Sequence, residues 1–219
     1  MALIGICGLI GAGKDTIASR LVTNHNYERL SWATALKDIT ATLFGWDREM
    51  VEGADPGSRA EREIPDPWWS EQFGTDWSPR IALQQLGTNV LREHLHNDIW
   101  ILATMRRMQG ENIVISDTRF PNEVKAIKKM GGQVWIVKRG ADPEWYTRLS
   151  DVKAEHLLGY TRQMSQLEVD NWMFENYPKI HASEYSWHGT VADAVIFNDS
   201  TIAELNETVD LVVWDKSSS

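Results

Sequence analysis

The chain has 219 residues, a formal net charge of −9 and a hydrophobic content of 42%. This length and apolar content suffice for one sizeable core. The acidic balance argues against a general binder of nucleic acid or of an anionic membrane, because such proteins show a basic face. The sequence has no apolar run of 18 residues, so we expect no membrane span. The single cysteine, Cys7, can form no disulfide within the chain, and a reducing cytoplasm is the expected setting.

The first motif is an apolar run over residues 3–7 that opens into a glycine-rich loop and then a helical segment. Gly8 and Gly13-Lys14 have the G-x-x-x-x-G-K spacing of a phosphate-binding P-loop. Glycines let backbone N–H groups approach oxygen anions, and the helix N-terminus favours negative charge. A glycine-rich turn without a ligand is the alternative, and the agreement of spacing, lysine and flanking elements disfavours it. The residues predicted to bind the nucleotide phosphates are Gly11, Ala12, Gly13, Lys14, Asp15 and Thr16.

One position departs from the general motif. The residue after the P-loop lysine is usually Ser or Thr, whose hydroxyl binds Mg²⁺, but here Asp15 follows Lys14 and Thr16 comes next. A second anion beside a triphosphate is unfavourable unless a cation lies close or the side chain points away. Two alternatives follow: Asp15 contacts Mg²⁺, directly or through water, or Thr16 supplies the hydroxyl.

The remaining elements alternate between strands and helices. Further strands are predicted over residues 27–32, 113–117, 134–138 and 195–199, and helices over 14–23, 34–44, 79–86, 89–96, 98–107, 121–130 and 202–211. This order predicts an α/β fold with a mostly parallel sheet covered by helices on both faces.

Two segments interrupt the alternation. Residues 46–79 are rich in Pro, Gly and charged residues, which predicts a long loop that is functional or mobile. Residues 141–180 are polar and aromatic with weak helical periodicity, which is compatible with a mobile lid. We therefore predict a single P-loop kinase domain over residues 1–219, with 46–79 as an insert on the acceptor side and 141–180 as a lid-like insert.

An acid and an arginine follow the predicted strand 113–117. Asp117 ends that strand and Thr118-Arg119 come next, at the carboxyl edge where ligands bind in open α/β sheets. A carboxylate there can hold Mg²⁺ or meet a substrate hydroxyl, and the fork of an arginine suits phosphate. The alternative for Asp117 is the N-cap of the helix 121–130. We favour the functional interpretation because Arg119 lies at the same edge, and we predict Lys14, Asp117 and Arg119 as catalytic residues.

Several blocks of the chain carry a resemblance to a known family. The blocks are Gly13-Lys14-Asp15-Thr16, Ala35-Leu36-Lys37-Asp38, Trp77-Ser78-Pro79-Arg80, Gln84-Gln85-Leu86-Gly87-Thr88, Trp100, Ser116-Asp117-Thr118-Arg119, Gly131-Gly132, Val137-Lys138-Arg139-Gly140, His181-Ala182-Ser183-Glu184 and Asn198-Asp199. In this order and spacing they resemble the deoxynucleoside monophosphate kinases of bacteriophages, a branch of the P-loop nucleotide kinases. Asp15 departs from the general P-loop but matches this family.

The resemblance implies transfer of the γ-phosphoryl group of ATP to a deoxynucleoside 5′-monophosphate (dNMP), with Mg²⁺ as the metal. It implies a small-molecule partner and a homodimer, located in the host cytoplasm if the chain is of phage origin. Neither a nucleic-acid nor a membrane partner is expected. In this frame Asp15, Thr16 and Asp117 are candidate metal ligands, and Arg139 is a candidate ATP contact. The candidate substrate-binding residues are Lys37, Arg80, Gln84, Trp100, Thr118, Arg119 and Glu184.

Each assignment has a structural alternative. Arg80 and Lys37 are equally compatible with solvated helix positions, and Trp100 with a core position. Glu184 is also compatible with an ion pair to Arg148 or Arg162 in the lid-like insert. His181 is predicted to be structural, because phosphoryl transfer to a phosphate needs no such base.

Two alternative functions stay open. The first is another P-loop small-molecule kinase, which would share the loop and the Asp117–Arg119 edge. The second is a nucleotide-binding regulator that signals by loop ordering. The sequence has no guanine-reading N-K-x-D motif, which disfavours a GTPase.

Overall fold

The computed structural model describes residues 2–160 and 162–217. The chain divides into two compact units. The first unit combines the chain up to Leu30 with the chain from Gln109 onward, and the second unit is Ser31–Met108. The segment 46–79 therefore belongs to a larger unit that also contains helical segments on both sides of it.

The first unit contains a five-stranded sheet in which every paired neighbour is parallel. The strands are β1 (Ala2–Gly8), β2 (Glu28–Leu30), β3 (Asn112–Ile115), β4 (Gln133–Lys138) and β5 (Ala194–Phe197). Their order across the sheet is β2-β3-β1-β4-β5, so the chain leaves β1, runs to one edge and later returns to β4 on the other side. The predicted α/β class with a parallel sheet is confirmed.

Helices connect the strands and form most of the second unit. In chain order they are α1 (Lys14–His25), α2 (Thr34–Phe44), α3 (Arg48–Glu52), α4 (Pro56–Glu61), α5 (Pro67–Phe73), α6 (Pro79–Gln84), a π-helix (Gln85–Val90), α7 (Leu91–His94), α8 (Ile99–Arg107), α9 (Pro121–Lys129), α10 (Glu144–Tyr160), α11 (Gln166–Asn176), α12 (Ala182–Tyr185) and α13 (Ile202–Ser217). The last helix continues past the predicted end at residue 211.

Alternation along β1 shows that both faces of the sheet are covered. Successive side chains of a strand point to opposite faces. Ile4 and Ile6 are buried in a cluster with residues of α1 and α13: Ile17, Leu21, Leu205 and Val209. Gly5 faces the other way, where an added Cβ would lie 2.1 Å from Cδ1 of Ile127 on α9. Helices therefore pack on both faces, as predicted.

Several predicted helix boundaries are confirmed by their caps. The Ser78 hydroxyl accepts a hydrogen bond from the N–H of Ile81 at 3.3 Å, and Pro79 takes the first helical position. Gly45 ends α2 with a left-handed backbone (φ 70°), as glycine commonly does after a helix.

The segment 46–79 is helical, and its prediction as a long loop was wrong. The carboxylates of Asp47, Asp55 and Asp66 accept hydrogen bonds from backbone N–H groups in the first turns of α3, α4 and α5. Pro56 and Pro67 occupy the first positions of two of these helices. Asp and Pro are frequent in loops, but here they mark three successive helix starts.

The segment 141–180 contains two helices, α10 and α11, which agrees with its weak helical periodicity. A small core holds them against α12 through the buried side chains of Leu149, Val169, Met173 and Tyr185. The helices of this segment thus have their own apolar contacts, and its role as a lid stays a prediction.

The sequence analysis expects no membrane-spanning helix and a single cysteine without a disulfide. None of the described helices is long and apolar enough to cross a membrane. Cys7 is buried in β1, and burial is the main cause that raises the pKa of its thiol to about 12. The residue therefore behaves as a small hydrophobic side chain.

His188 is held in its neutral form beside α10. Its Nε2 lies 2.8 Å from the Ser150 hydroxyl oxygen, and its carbonyl oxygen accepts a hydrogen bond from Lys153 Nζ at 2.8 Å. Burial, followed by the nearby charge of Lys153, lowers the pKa of His188 to about 4. An unfolded chain takes up this proton near pH 6.5.

The free energy of unfolding is expected to fall as the pH drops from 6.5 to about 4, because only the unfolded state binds the His188 proton in that window. The contribution is about 2 kcal/mol after allowance for partial exposure. Urea denaturation of wild type and His188→Gln at pH 7.0, 5.5 and 4.5 measures it. The variant should show a shallower pH dependence, whereas His94→Gln, at an exposed position, should retain the wild-type slope. Equal slopes in all three proteins would contradict the assignment.

Candidate active site

The glycine-rich loop between β1 and α1 has the backbone that a phosphate cradle requires. Gly11 and Gly13 have φ values of 78° and 102°, in the left-handed region that favours glycine. The side-chain amide of Asn198, just after β5, donates a hydrogen bond of 2.8 Å to the carbonyl oxygen of Ala12. This contact ties the loop to the end of β5 and fixes its shape.

Lys14 lies over the loop at the start of α1. Its Nζ donates hydrogen bonds of 2.9 Å to the carbonyl oxygens of Gly8 and Leu9. Burial and then the positive charge of Arg119 hold the pKa of Lys14 below its ordinary value. The positive charge of Arg119 therefore acts on the ammonium group of Lys14.

Asp15 contacts an arginine and a hydroxyl. Arg29 Nη2 donates a hydrogen bond to Asp15 Oδ1, and the Ser116 hydroxyl donates to the same oxygen at 3.1 Å. A carboxylate beside a triphosphate needs a cation close to it, and here the guanidinium group of Arg29 is that cation. Thr16 follows, half-buried in the first turn of α1.

The turn after β3 positions Arg119. The carboxylate of Glu123, 2% exposed, accepts hydrogen bonds from the N–H groups of Arg119 (2.8 Å) and Phe120 (3.1 Å). Phe120, and not Asp117, is therefore the N-cap residue of α9. Asp117 is therefore not the N-cap of this helix, and it lies in the turn that follows the carboxyl end of β3.

Thr118 does not face a substrate, contrary to the prediction. Its side chain is fully buried, and its hydroxyl donates to the carbonyl oxygen of Ile115 at 3.4 Å. A strand-to-helix turn this tight directs one of its side chains into the core. In this turn Thr118 takes the buried position and Arg119 the accessible one.

Arg119 is paired with Glu184. Its Nη1 lies 3.2 Å from Glu184 Oε1 and 3.2 Å from the Ser183 hydroxyl, both on α12. The two arginines of segment 141–180 that were considered as partners of Glu184 form ion pairs with other acids. Arg148 Nη1 lies 3.8 Å from Asp151 Oδ2, and Arg162 Nη2 lies 2.7 Å from Glu168 Oε1. The negative charge of Glu184 also acts on Lys14, where it partly offsets the lowering of the Lys14 pKa by burial and by Arg119.

Two further predicted residues of the first unit have clear positions. Arg139, after β4, is exposed, and its Nη1 lies 3.4 Å from the carbonyl oxygen of Gly11, so it borders the glycine-rich loop. His181 caps α12, where its Nδ1 accepts a hydrogen bond from the N–H of Ser183 at 3.2 Å. This cap supports the structural interpretation of His181, which stays a prediction.

The candidate metal ligands are few. No group of three or more His, Cys, Asp and Glu side chains able to hold a metal occurs among the described residues. Mg²⁺ in nucleotide sites needs only one or two protein oxygens, because phosphates and water complete its shell. Asp117 and Thr16 stay predictions as ligands of such a partial site, whereas one oxygen of Asp15 already contacts Arg29 and Ser116.

In the second unit, Lys37 and Arg80 differ in their availability. The ammonium group of Lys37, 15% exposed, forms an ion pair with Glu52, so its positive charge is already compensated. Arg80 is exposed, and its N–H donates to the carbonyl oxygen of Arg62 at 2.9 Å. Burial and then the charge of Arg80 lower the pKa of Arg62, whose Nε is buried without a hydrogen-bond partner among the described residues.

Trp100 is a core residue, and its prediction as a base-reading side chain was wrong. The ring is 4% exposed, and its Nε1 donates a hydrogen bond of 2.9 Å to the carbonyl oxygen of Gly87. That carbonyl lies in the π-helix, where an added Cβ on Gly87 would come within 2.8 Å of Leu36. Gln84 is exposed at the end of α6, immediately before this π-helix, a feature that is frequent near functional sites.

The sequence analysis gave no role to five residues that contact the predicted site residues or lie beside them: Arg29, Ser116, Glu123, Asn198 and Arg62. Glu123 had a local signal, because it stands at the third position of a helix that begins with Pro121. Ser116 and Asn198 stood in blocks of the family resemblance but had no role assigned to them. Arg29 had no signal, since only the pairing of β2 with β3 brings it to the loop.

A parallel sheet with a glycine-rich loop, a lysine at the P-loop position and an arginine at the same edge defines a P-loop kinase fold. No family model matches the chain. The chain is 32% identical over 174 residues to a protein of Acanthamoeba polyphaga mimivirus named as a deoxynucleotide monophosphate kinase, covering 73% of this chain and 86% of that protein. It therefore belongs to the deoxynucleoside monophosphate kinase family.

A second relative has a name that describes the same activity. The deoxynucleoside-5′-monophosphate kinase of Escherichia phage T5 is 24% identical over 185 residues, covering 58% of this chain and 72% of the relative. A shikimate kinase from Aquifex aeolicus aligns over 99% of both chains at 14% identity with a TM-score of 0.39. That score is too low to carry an argument, so the fold class rests on the sheet itself.

Glu123→Gln is expected to destabilise the protein by about 1–2 kcal/mol, because a neutral amide replaces a buried carboxylate that accepts two N–H groups. Equilibrium urea denaturation measures the change. The matched control is Glu204→Gln in the exposed first turn of α13, which should cost less than about 0.5 kcal/mol. Equal costs at the two positions would show that Glu123 does not brace the turn.

Proposed function

We propose that this chain transfers the γ-phosphoryl group of ATP to a deoxynucleoside 5′-monophosphate, giving ADP and the deoxynucleoside diphosphate. The observation that carries the proposal is the placing of two cations at the carboxyl edge of the sheet: Lys14 lies over the glycine-rich loop, and Glu123 fixes Arg119 in the turn after β3. Two cations at one phosphate-binding loop suit the charge of a transferring phosphoryl group. Membership of the family supplies the substrate class.

In the proposed reaction the loop N–H groups and Lys14 bind the donor phosphates. Arg119, held by Glu184 and Ser183 through Nη1, contacts the transferring group through its guanidinium group. No general base is required, because the acceptor phosphate is already an anion. When bound, Mg²⁺ would neutralise phosphate charge, and Asp117 and Thr16 would supply its protein oxygens.

On the acceptor side, Arg80 is proposed to contact the phosphate of the monophosphate and Gln84 its base. Arg80 is exposed and lies beside the charge of Arg62, so an anion would relieve the repulsion between the two guanidinium groups. Lys37 is proposed to act indirectly, since its ammonium group is engaged by Glu52. Arg139 is proposed to contact ATP from its place beside Gly11.

Further properties are proposed from the family resemblance and from composition. The active protein is a homodimer located in the cytoplasm of the host cell, and it acts without nucleic acid. The net charge of −9 supports the last point. Light scattering after size-exclusion chromatography tests the dimer.

The purified chain with Mg·ATP should convert at least one dNMP to its diphosphate, measured by chromatography of the products against a panel of dNMPs and NMPs. Lys14→Ala and Arg119→Ala should each lower kcat/KM by about 10³-fold, because each removes a charge that stabilises the transferring group. Lys125→Ala, at an exposed position on α9, is the control and should retain activity. ATP binding without any phosphorylated monophosphate would overturn the proposed acceptor and favour a different kinase or a nucleotide-binding regulator.

Arg80→Gln is expected to raise KM for the dNMP about tenfold and to leave KM for ATP unchanged, because it removes one charge-assisted phosphate contact. Initial rates with each substrate varied in turn measure both constants. Arg106→Gln, at an exposed position on α8, is the matched control. An equal rise in both constants would show a general loss of structure, and no change would remove Arg80 from the acceptor site.

A further inference from the structure

Arg29, Asp15 and Ser116 form a closed triangle of hydrogen bonds at the edge of the sheet. Arg29 Nη2 donates to Asp15 Oδ1 and, at 2.8 Å, to the Ser116 hydroxyl. The Ser116 hydroxyl in turn donates to Asp15 Oδ1 at 3.1 Å. The three residues come from β2, the start of α1 and the turn after β3, so each is fixed by a different element.

The triangle depends on the register of the sheet. Arg29 pairs with Val114, and Leu30 with Ile115, in the parallel β2–β3 ladder. This register places the Arg29 side chain beside Ser116, the residue that follows β3. Ser116 is 5% exposed, so it is a rigid anchor, whereas Asp15 is 65% exposed and depends on its partners for its orientation.

The electrostatic need for such a partner follows from the position of Asp15. The carboxylate directly follows Lys14, the residue proposed to bind the nucleotide phosphates. An uncompensated carboxylate beside a triphosphate would weaken binding through repulsion between like charges. A guanidinium group in direct contact with Asp15 removes part of this repulsion, and the two N–H groups of Arg29 Nη2 hold Asp15 and Ser116 together.

We propose that Arg29 is a positioning residue that compensates Asp15 beside the bound nucleotide, and that Asp15 serves to hold Arg29 and not to ligate Mg²⁺. This inference rests on the proposed function only in taking a nucleoside triphosphate as the ligand of the loop. It assigns the unusual acid of the P-loop to charge balance within the protein. It also leaves Thr16 and Asp117 as the oxygens for the metal.

The test is a double-mutant cycle on nucleotide binding. Arg29→Met, Asp15→Asn and the double variant are compared with wild type by isothermal titration calorimetry of ATP, once with EDTA and once with Mg²⁺. Arg20→Met is the matched control, because Arg20 also forms an ion pair with an aspartate, Asp210, on α13. Thermal melts of every variant confirm that it is folded.

We expect Arg29→Met to weaken ATP binding about tenfold in EDTA, since it exposes the Asp15 charge to the phosphates. Asp15→Asn should bind ATP within about twofold of wild type, because it removes the anion together with the need for its partner. The double variant should regain most of the lost affinity. Arg29→Lys keeps the positive charge on a shorter and differently shaped side chain, so it should fall between wild type and Arg29→Met, and it replaces Arg29→Met if that variant does not fold.

Other outcomes would overturn the proposal. Wild-type affinity in Arg29→Met, or no recovery in the double variant, would mean that Arg29 does not compensate Asp15. A rise of about tenfold in the Mg²⁺ concentration needed for half-maximal ATP binding in Asp15→Asn would identify Asp15 as a metal ligand. Failure of the proposed function looks different: the pattern of ATP affinities would persist while no monophosphate is phosphorylated.

Discussion

The parallel pairing of β1 with β3 on one side and β4 on the other is the constraint on which the site depends. Parallel strands end at the same edge, so the glycine-rich loop, the turn carrying Arg119 and the segment carrying Arg139 all emerge together. The pairing also explains why chemistry-bearing residues distant in sequence share one electrostatic environment. A shift of register by one residue would turn Ile4 and Ile6 toward the face where Gly5 packs against Ile127, which has no room for their side chains.

Charge at this edge is balanced pair by pair. Arg119 contacts Glu184, Arg29 contacts Asp15, and Lys14 is left with carbonyl oxygens as its hydrogen-bond acceptors. A loop that binds phosphate needs surplus positive charge, but unpaired guanidinium groups repel one another. Pairing holds the arginines in place, while Lys14 keeps its ammonium group for an anion.

The sequence was sufficient for the parts of the fold that have local signals. The alternation of strands and helices was predicted and confirmed. So were the start of α6 at Pro79 and the end of α2 at Phe44. The segment 46–79 was not, because Asp and Pro have the same local preference for loops and for helix starts, and only tertiary contacts decide between them.

The candidate site was partly predictable for the same reason. The loop and Arg119 follow from spacing, whereas the burial of Trp100 depends on a π-helix that no local pattern of residues indicated. Arg29 is out of reach of sequence reasoning because it contacts Asp15 only through the pairing of β2 with β3. Contacts between distant segments are specified by the sheet and not by the residues that flank them.

The inaccessibility of Cys7 has a practical consequence. The chain contains one cysteine, and it is sealed inside the central strand with a thiol that stays protonated at neutral pH. A cysteine introduced at an exposed position would therefore be the reactive one, without any prior removal of a native thiol. Pairs of such positions, one in each compact unit, would carry fluorescent or spin labels that report the distance between the units in solution, before and after nucleotide is added.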